Sequence, residues 1–220
     1  MADPSSSSQS LPAGFWLSNI TALRWAVALL AGPLLLACGG QTVPAGGATP
    51  SHRHYDFEGA ATPEWQPDKR LRIGENHVLG VFNDRNPRHP PQARLSLHGL
   101  SAETPLILEF DLILIGTWDS GGELADRWEL RAGDGPPLLR LTTFPNAFSD
   151  PDETRPLGNA GWVPLYGRQR AYWVVRQSVS VPPERFADGT LALTFSAAVT
   201  GRRTEFWALD QVKIIPAGDR

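Results

Sequence analysis

From residue 54 to the C-terminus, apolar residues recur at every second position in short runs. That is the period of a strand with one buried face. Residues 190–199 carry Leu191, Leu193, Phe195, Ala197 and Val199 on one side, and Thr190, Thr194 and Ser196 on the other. Residues 105–115 (PLILEFDLILI) align Leu106, Leu108, Phe110, Leu112 and Leu114, with Glu109 and Asp111 among isoleucines opposite, the pattern of a central strand. The same reading predicts strands at 54–58, 77–82, 92–98, 126–132, 137–144, 172–181 and 205–215. Turn signals separate them at 84–91, 119–122, 133–137, 182–189 and 200–203. No stretch beyond residue 54 holds a helical apolar stripe for three turns. About nine strands with irregular loops predict an all-β fold, a single jelly-roll β-sandwich over residues 54–217.

The pattern changes before residue 40. Trp25 to Ala37 (WAVALLAGPLLLA) is an uncharged run preceded by Arg24. Its length of about 13 residues suits a signal-peptide core and falls short of the roughly 20 that span a bilayer. Gly32-Pro33 would weaken a spanning helix further. The run ends in Leu35-Leu36-Ala37-Cys38, which holds the chain's only cysteine. This resembles the lipobox of bacterial lipoproteins. The resemblance implies removal of residues 1–37, lipidation of Cys38 as the mature N-terminus, and attachment to a membrane. Gly39 in place of Asp points to the outer rather than the inner membrane in such lipoproteins. Residues 1–23 are Ser-rich, lack Lys and Arg, and are long for the region before an export core. An ordinary signal peptide cleaved near Ala37, with an incidental cysteine, is the alternative.

A lone thiol leaves an exported domain with no internal disulfide, and lipidation accounts for an unpaired cysteine in an oxidising compartment. Residues 38–53 (CGGQTVPAGGATPSHR) have no apolar periodicity and read as a Gly/Pro tether, roughly 20 Å in reach as a flexible coil. Twenty-one glycines and 20 prolines fit a turn-rich chain, and a net charge of −3 argues against a nucleic-acid partner. No GxSxG elbow, HExxH or phosphate-cradling loop is present. The histidines at 52, 54, 77, 89 and 98 show no spacing that would serve a nucleophile.

The two ends of the domain carry the most specific motifs. It opens with Tyr55-Asp56-Phe57-Glu58 and closes with Trp207-Ala208-Leu209-Asp210-Gln211-Val212-Lys213-Ile214. That layout resembles MAM domains and carbohydrate-binding modules, without the cysteines of the former. Leu79-Gly80-Val81-Phe82, Phe110-Asp111-Leu112 with Trp118-Asp119, Thr142-Thr143-Phe144-Pro145-Asn146, and Trp207 to Val212 together are similar to secreted bacterial sandwich proteins of unassigned function. First and last strands of a jelly roll often lie side by side, which would bring Glu58 and Asp210 together. Two close carboxylates repel, and a cation would relieve them. The resemblance likewise implies a structural calcium there, with Glu58 and Asp210 among its oxygen ligands. Alternatively, Asp210 caps a turn and Glu58 is solvated. Trp207 and Leu209 differ in parity from Val212 and Ile214, which predicts a bulge beside Asp210.

Candidate ligand contacts follow from loops and aromatics. Trp118-Asp119-Ser120-Gly121-Gly122-Glu123 and Asp126 form a second acidic cluster. Asp126 has core-facing parity and is expected either to accept loop amides or, with Asp119, to line a site at the sandwich rim. Trp128 and Trp207 have core parity. Trp118, before a glycine turn, and Trp162, in a long loop over 145–171, are the tryptophans expected to be exposed, with Tyr166 and Arg168 beside Trp162. Sugars stack on exposed rings. The sequence thus predicts a lipid-anchored extracytoplasmic binding or adhesion module for glycan or another envelope component. The alternatives are a glycoside hydrolase or lyase using Asp119, Glu123 or Asp126, and a structural envelope component without a ligand.

Overall fold

The computed structural model describes residues 52–122, 125–145 and 160–219. Cys38 and the lipobox-like run before it, most of the expected tether, Glu123 and the stretch 146–159 lie outside the described residues. Twelve strands succeed one another: β1 Arg53–Tyr55, β2 Trp65–Gln66, β3 Arg70–Ile73, β4 Asn76–Phe82, β5 Gln92–Leu97, β6 Leu106–Gly116, β7 Arg127–Ala132, β8 Pro137–Leu141, β9 Ala160–Leu165, β10 Arg168–Val181, β11 Leu191–Ala198 and β12 Glu205–Pro216.

All pairings are antiparallel and build two sheets. The larger has seven strands in the order β3-β4-β12-β6-β10-β9 with β1 beside β12, and the smaller has five in the order β2-β5-β11-β7-β8. The predicted sandwich is the observed one. The predicted strands all appear, the shortest trimmed at their ends, and β2, β3 and β9 are additional. β2 has two residues and β3 four, too short to show a period. The expected 145–171 loop is shorter than its sequence suggested, because β9 and the start of β10 form a hairpin inside it.

Alternation decides which sheet face each residue serves. Leu106, Leu108, Phe110, Leu112 and Leu114 of β6 enter the core between the sheets, with Leu193 and Phe195 of β11 and Trp207 and Leu209 of β12. Trp128 packs edge-on against Trp207 at 5.9 Å between ring centroids, and both are fully buried. Each such ring removes some 150–250 Å² from water, a dominant share of core energetics. The opposite face of the larger sheet carries a second apolar cluster that includes Val81, Ile113, Ile115, Val163, Leu165, Phe206 and Ala208. A strand buried on both faces reads as continuously apolar, which explains the unbroken LILI of β6.

β12 pairs β1 along one edge and β6 along the other, so the first and last strands lie side by side. The predicted bulge is present. The β12–β6 register shifts between Asp210 and Lys213, and Gln211 adopts a left-handed φ of 49°. That extra residue returns Val212 and Ile214 to the core face.

Candidate functional site

β12 starts at Glu205, opposite Gly116 of β6, and ends at Pro216, opposite Leu106. Twelve residues of strand set these ends roughly 35–40 Å apart. The loops 83–91, 117–126 and 199–204 and the β9–β10 turn converge at the Glu205 end, here termed the rim. A polar network seals it. Asn83 donates through Nδ2 to the carbonyls of Gly201, at 2.9 Å, and Glu205. Asn86 donates to the Arg202 carbonyl and the Tyr166 hydroxyl, each at 3.0 Å. Glu205 accepts from the hydroxyls of Thr117 at 3.0 Å and Thr204 at 2.6 Å. Its Oε2 is buried and has no partner among the described residues. Burial, and then the Asp126 charge, raise the Glu205 carboxyl above the ordinary range.

The acidic pair of the 117–126 loop does not form an open site. Asp126 is fully buried, and its oxygens accept from the amides of Asp119 at 2.8 Å and Thr200 at 2.9 Å. Burial raises its carboxyl, and those two amides hold part of the shift back. It serves as a loop clamp, whereas Asp119 is exposed. The expectation that Trp118 is exposed is corrected. It is 8% exposed, lies 4.7 Å from the Phe144 ring, and donates its indole N–H to the Phe206 carbonyl at 3.2 Å. The left-handed Gly116 turns the chain back at the end of β6, so Trp118 lids the core instead of facing solvent.

Exposed aromatics lie elsewhere. Trp162 and Tyr166, 43% and 42% exposed, are the large exposed apolar side chains among the described residues, and one hairpin carries both. Trp162 sits on the edge strand β9 opposite Ala171, on the face that also carries Trp173. Tyr166 and Gly167 form a two-residue turn with φ of 54° and 71°. Positive φ at both positions defines the type I′ turn that matches strand twist, and Asn is the ordinary residue at its first position. Left-handed backbone costs a bulky tyrosine roughly 1–2 kcal/mol.

What holds Tyr166 there is a set of contacts on the other face of the same sheet. Its ring lies 5.8 Å from Phe206 and 5.7 Å from His89. His89 Nδ1 is 3.1 Å from the Val81 carbonyl, which can only accept, so the proton sits on Nδ1. Burial, followed by the charge of Lys69, lowers the His89 pKa and keeps the ring neutral near pH 7. Nε2 is therefore the acceptor for the Tyr166 hydroxyl, whose oxygen in turn accepts from Asn86. Asn86 and His89 were read in sequence only as part of the Pro-rich turn 84–91. The legible signal was Tyr166-Gly167 between two alternating runs, which marks a hairpin.

The carboxylates expected to hold calcium meet away from the rim. Both oxygens of Glu58 are engaged by His77, from its amide at 2.6 Å and its Nδ1 at 2.9 Å. Asp210 lies directly opposite Asp111 across the β12–β6 pair. Asp111 is paired with Arg176 at 2.9 Å, while Asp210 accepts from the Gln211 amide at 2.7 Å. Burial, together with the charges of Asp111, Glu58 and Asp56, pushes the Asp210 pKa up to about 6. Among the described residues, no group of three or more His, Cys, Asp or Glu side chains is arranged to hold a metal.

No protein-family model matches this chain, and no curated protein matches its sequence. Two solved structures share its layout at low identity. The K1 cleaved adhesin domain of Lys-gingipain from Porphyromonas gingivalis W83 is 14% identical with a TM-score of 0.41, covering 76% of this chain and 99% of that one. CBM27-1 of Caldicellulosiruptor saccharolyticus, solved with mannohexaose, is 16% identical with a TM-score of 0.37, covering 76% and 97%. Both likenesses are too distant to inform function.

Proposed function

We propose that the protein is a binding module that takes a glycan at the β9–β10 hairpin, held to the cell envelope through Cys38. The observation that carries the glycan reading is that one hairpin exposes two rings, one on each face of its sheet. Trp162 and Tyr166 stay open to solvent on one hairpin while every other described tryptophan is buried. Exposed rings held by a rigid strand pair offer flat apolar platforms for the C–H faces of sugars. Tyr166 is fixed by three neighbours, so little ordering entropy is lost on binding. The position of β1 favours outward presentation. Arg53 pairs with Ile214 near the end of β12 remote from the rim, so the described chain enters the sandwich at the far end.

The test is a glycan array with the full chain, followed by titration of the hits against Trp162→Ala and Tyr166→Ala. Loss of about tenfold or more in affinity is expected from replacing the ring on which the sugar stacks, at about 1–3 kcal/mol per ring. Retained binding by both variants would refute the hairpin as the site. Mass spectrometry of the mature N-terminus tests the anchor, and an unmodified Cys38 would leave a simply secreted protein.

Calcium at Asp210 and Glu58 is a separate proposal, favoured by the crowding of Asp210 with Asp56, Glu58 and Asp111. The ion would relieve that repulsion, and it requires Glu58 to release His77. An unchanged melting temperature on chelation would end this idea.

A further inference from the structure

Among the described residues, six arginines gather at the rim around Tyr166, although the chain as a whole carries a net charge of −3. Arg85 and Arg88 belong to the loop that supplies Asn86 and His89. Arg202 and Arg203 belong to the loop whose Arg202 carbonyl binds Asn86. Arg168 and Arg170 follow the Tyr166-Gly167 turn on β10. Five of these six are exposed, and Arg170 is partly so. None forms an ion pair among the described residues. Arg170 also has a buried Nε with no partner, and the Arg85 Nε donates only to the Val199 carbonyl, at 3.1 Å. The exposed acids described at this end are Asp84 and Asp119, and Asp84 accepts the Val199 amide.

This segregation is informative because the net charge is −3. Elsewhere most described arginines meet an acid: Arg53 takes Glu64, Arg70 takes Asp68, Arg72 takes Glu75, Arg176 takes Asp111, and Arg127, Arg131 and Arg140 gather on Glu129, while Arg94 and Arg185 form no ion pair among the described residues. Around Tyr166, six arginines lack an acidic partner among the described residues, and a ligand of opposite charge would match them. Exposed guanidinium forks bind planar anions bidentately. The ring of Tyr166 lies among them and supplies the apolar surface that a sugar needs and a free ion does not.

We infer that the rim is a binding site for an acidic polysaccharide, with the arginines gripping carboxylate or sulfate groups while Tyr166 stacks on a sugar ring. This rests on the glycan reading and specifies its ligand class. Unmatched charge without a stacking ring would equally fit any polyanion, and the single held tyrosine favours the saccharide.

The experiment uses the full chain, purified in detergent, against polygalacturonate, heparin, neutral mannan and a DNA oligonucleotide of charge matched to the heparin. Binding to polygalacturonate or heparin well above mannan and DNA is expected, and the preferred acid identifies carboxylate or sulfate. Affinity should fall steeply between 50 and 300 mM salt, as exposed charges are screened. The double variant Arg168→Gln, Arg202→Gln should lose roughly tenfold to a hundredfold toward the acidic glycan, as two charge-assisted contacts go. Both side chains are exposed, so unchanged melting is the control for folding. Tyr166→Ala should lose acidic-glycan binding as well, and indifference to that change would overturn the inference. Binding to mannan that ignores salt and the arginine variant would overturn the acidic specificity and leave the glycan reading intact. Equal capture of DNA and heparin would replace saccharide recognition with plain polyanion attraction. Absence of binding to every glycan would refute both readings.

Discussion

The two ends of this sandwich are closed by opposite means. At the end where β1 enters, hydrocarbon does the sealing: Leu100, Leu106, Val181, Phe186 and Leu191 are buried there, with Phe186 1% exposed. At the rim, Trp118 lids the core beside Phe144, and the rest of the seal is polar: Asn83, Asn86, Asp126 and Glu205, each nearly or fully buried. Both ends exclude water, but a buried polar group is costly unless every partner is supplied. Glu205 Oε2 lacks a partner, and both rim carboxyls are pushed toward protonation, so the rim is the less stable closure. A polar seal does something a hydrocarbon one cannot. It fixes loop backbones by directional bonds and holds the Tyr166 side chain in one geometry. The difference suits the rim to the binding role proposed for it.

The largest test of this contrast is Phe186→Ala. It should cost about 3–5 kcal/mol through the cavity it leaves, and at a few degrees per kcal/mol lower the melting temperature by roughly 10 °C. Glycan binding should survive in the folded fraction, since the residue is remote from the rim. Asn83→Ala should cost about 2–3 kcal/mol, because two buried carbonyls lose their shared donor. Here binding should weaken too, and calorimetry alongside titration would separate the effects. If Phe186→Ala weakened binding as much as Asn83→Ala, the ends would not be functionally distinct.

Gly201→Ala probes the same seal from its packing. A Cβ at this position would lie 2.0 Å from Glu205 Oε2 and 1.9 Å from Thr204 Oγ1, so the network must shift. A loss of about 1–3 kcal/mol is expected, as for other overpacked sites.

Asp210 gives the pH test. In the folded chain it titrates at about 6, above the 3.8 of an ordinary aspartate, so folding binds its proton more tightly. The sign follows. Ionised Asp210 destabilises the fold above pH 6, and the cost is relieved as pH falls from 6 toward 4. The total is about 2–3 kcal/mol at 1.36 per pH unit. Stability should therefore rise through that window, and Asp210→Asn should flatten the rise and raise the melting temperature at pH 7. Below pH 4 the gain reverses, because the carboxylates of Asp68 and Glu58 are held low by Arg70 and His77 and are then protonated. A wild-type curve that is flat from pH 6 to 4 would refute the assignment. Millimolar calcium that removes the rise only while Asp210 is present would support the cation.

Alternation alone located the long strands, because a half-buried strand must repeat every second residue. The same arithmetic placed Trp128 and Trp207 in the core and the bulge beside Asp210, where parity changes with no turn residue to explain it. Composition and the lone Cys38 gave the export reading, and two exposed rings, Trp162 and Tyr166, were also legible. The edge strand β9 was not, since its face is set by pairing with β10 rather than by its own period. Trp118 was misplaced because exposure after a glycine turn depends on where the turn sends the chain.

Only the tertiary structure joined Asn86, His89 and Tyr166, up to 80 residues apart in sequence. Six arginines, four in two loops and two at the start of β10, likewise came together at one end of the sandwich. Periodicity is a local property and survives in a bare sequence. Which loops share an end is fixed by strand order and register, and those are decided by packing between residues far apart in the chain.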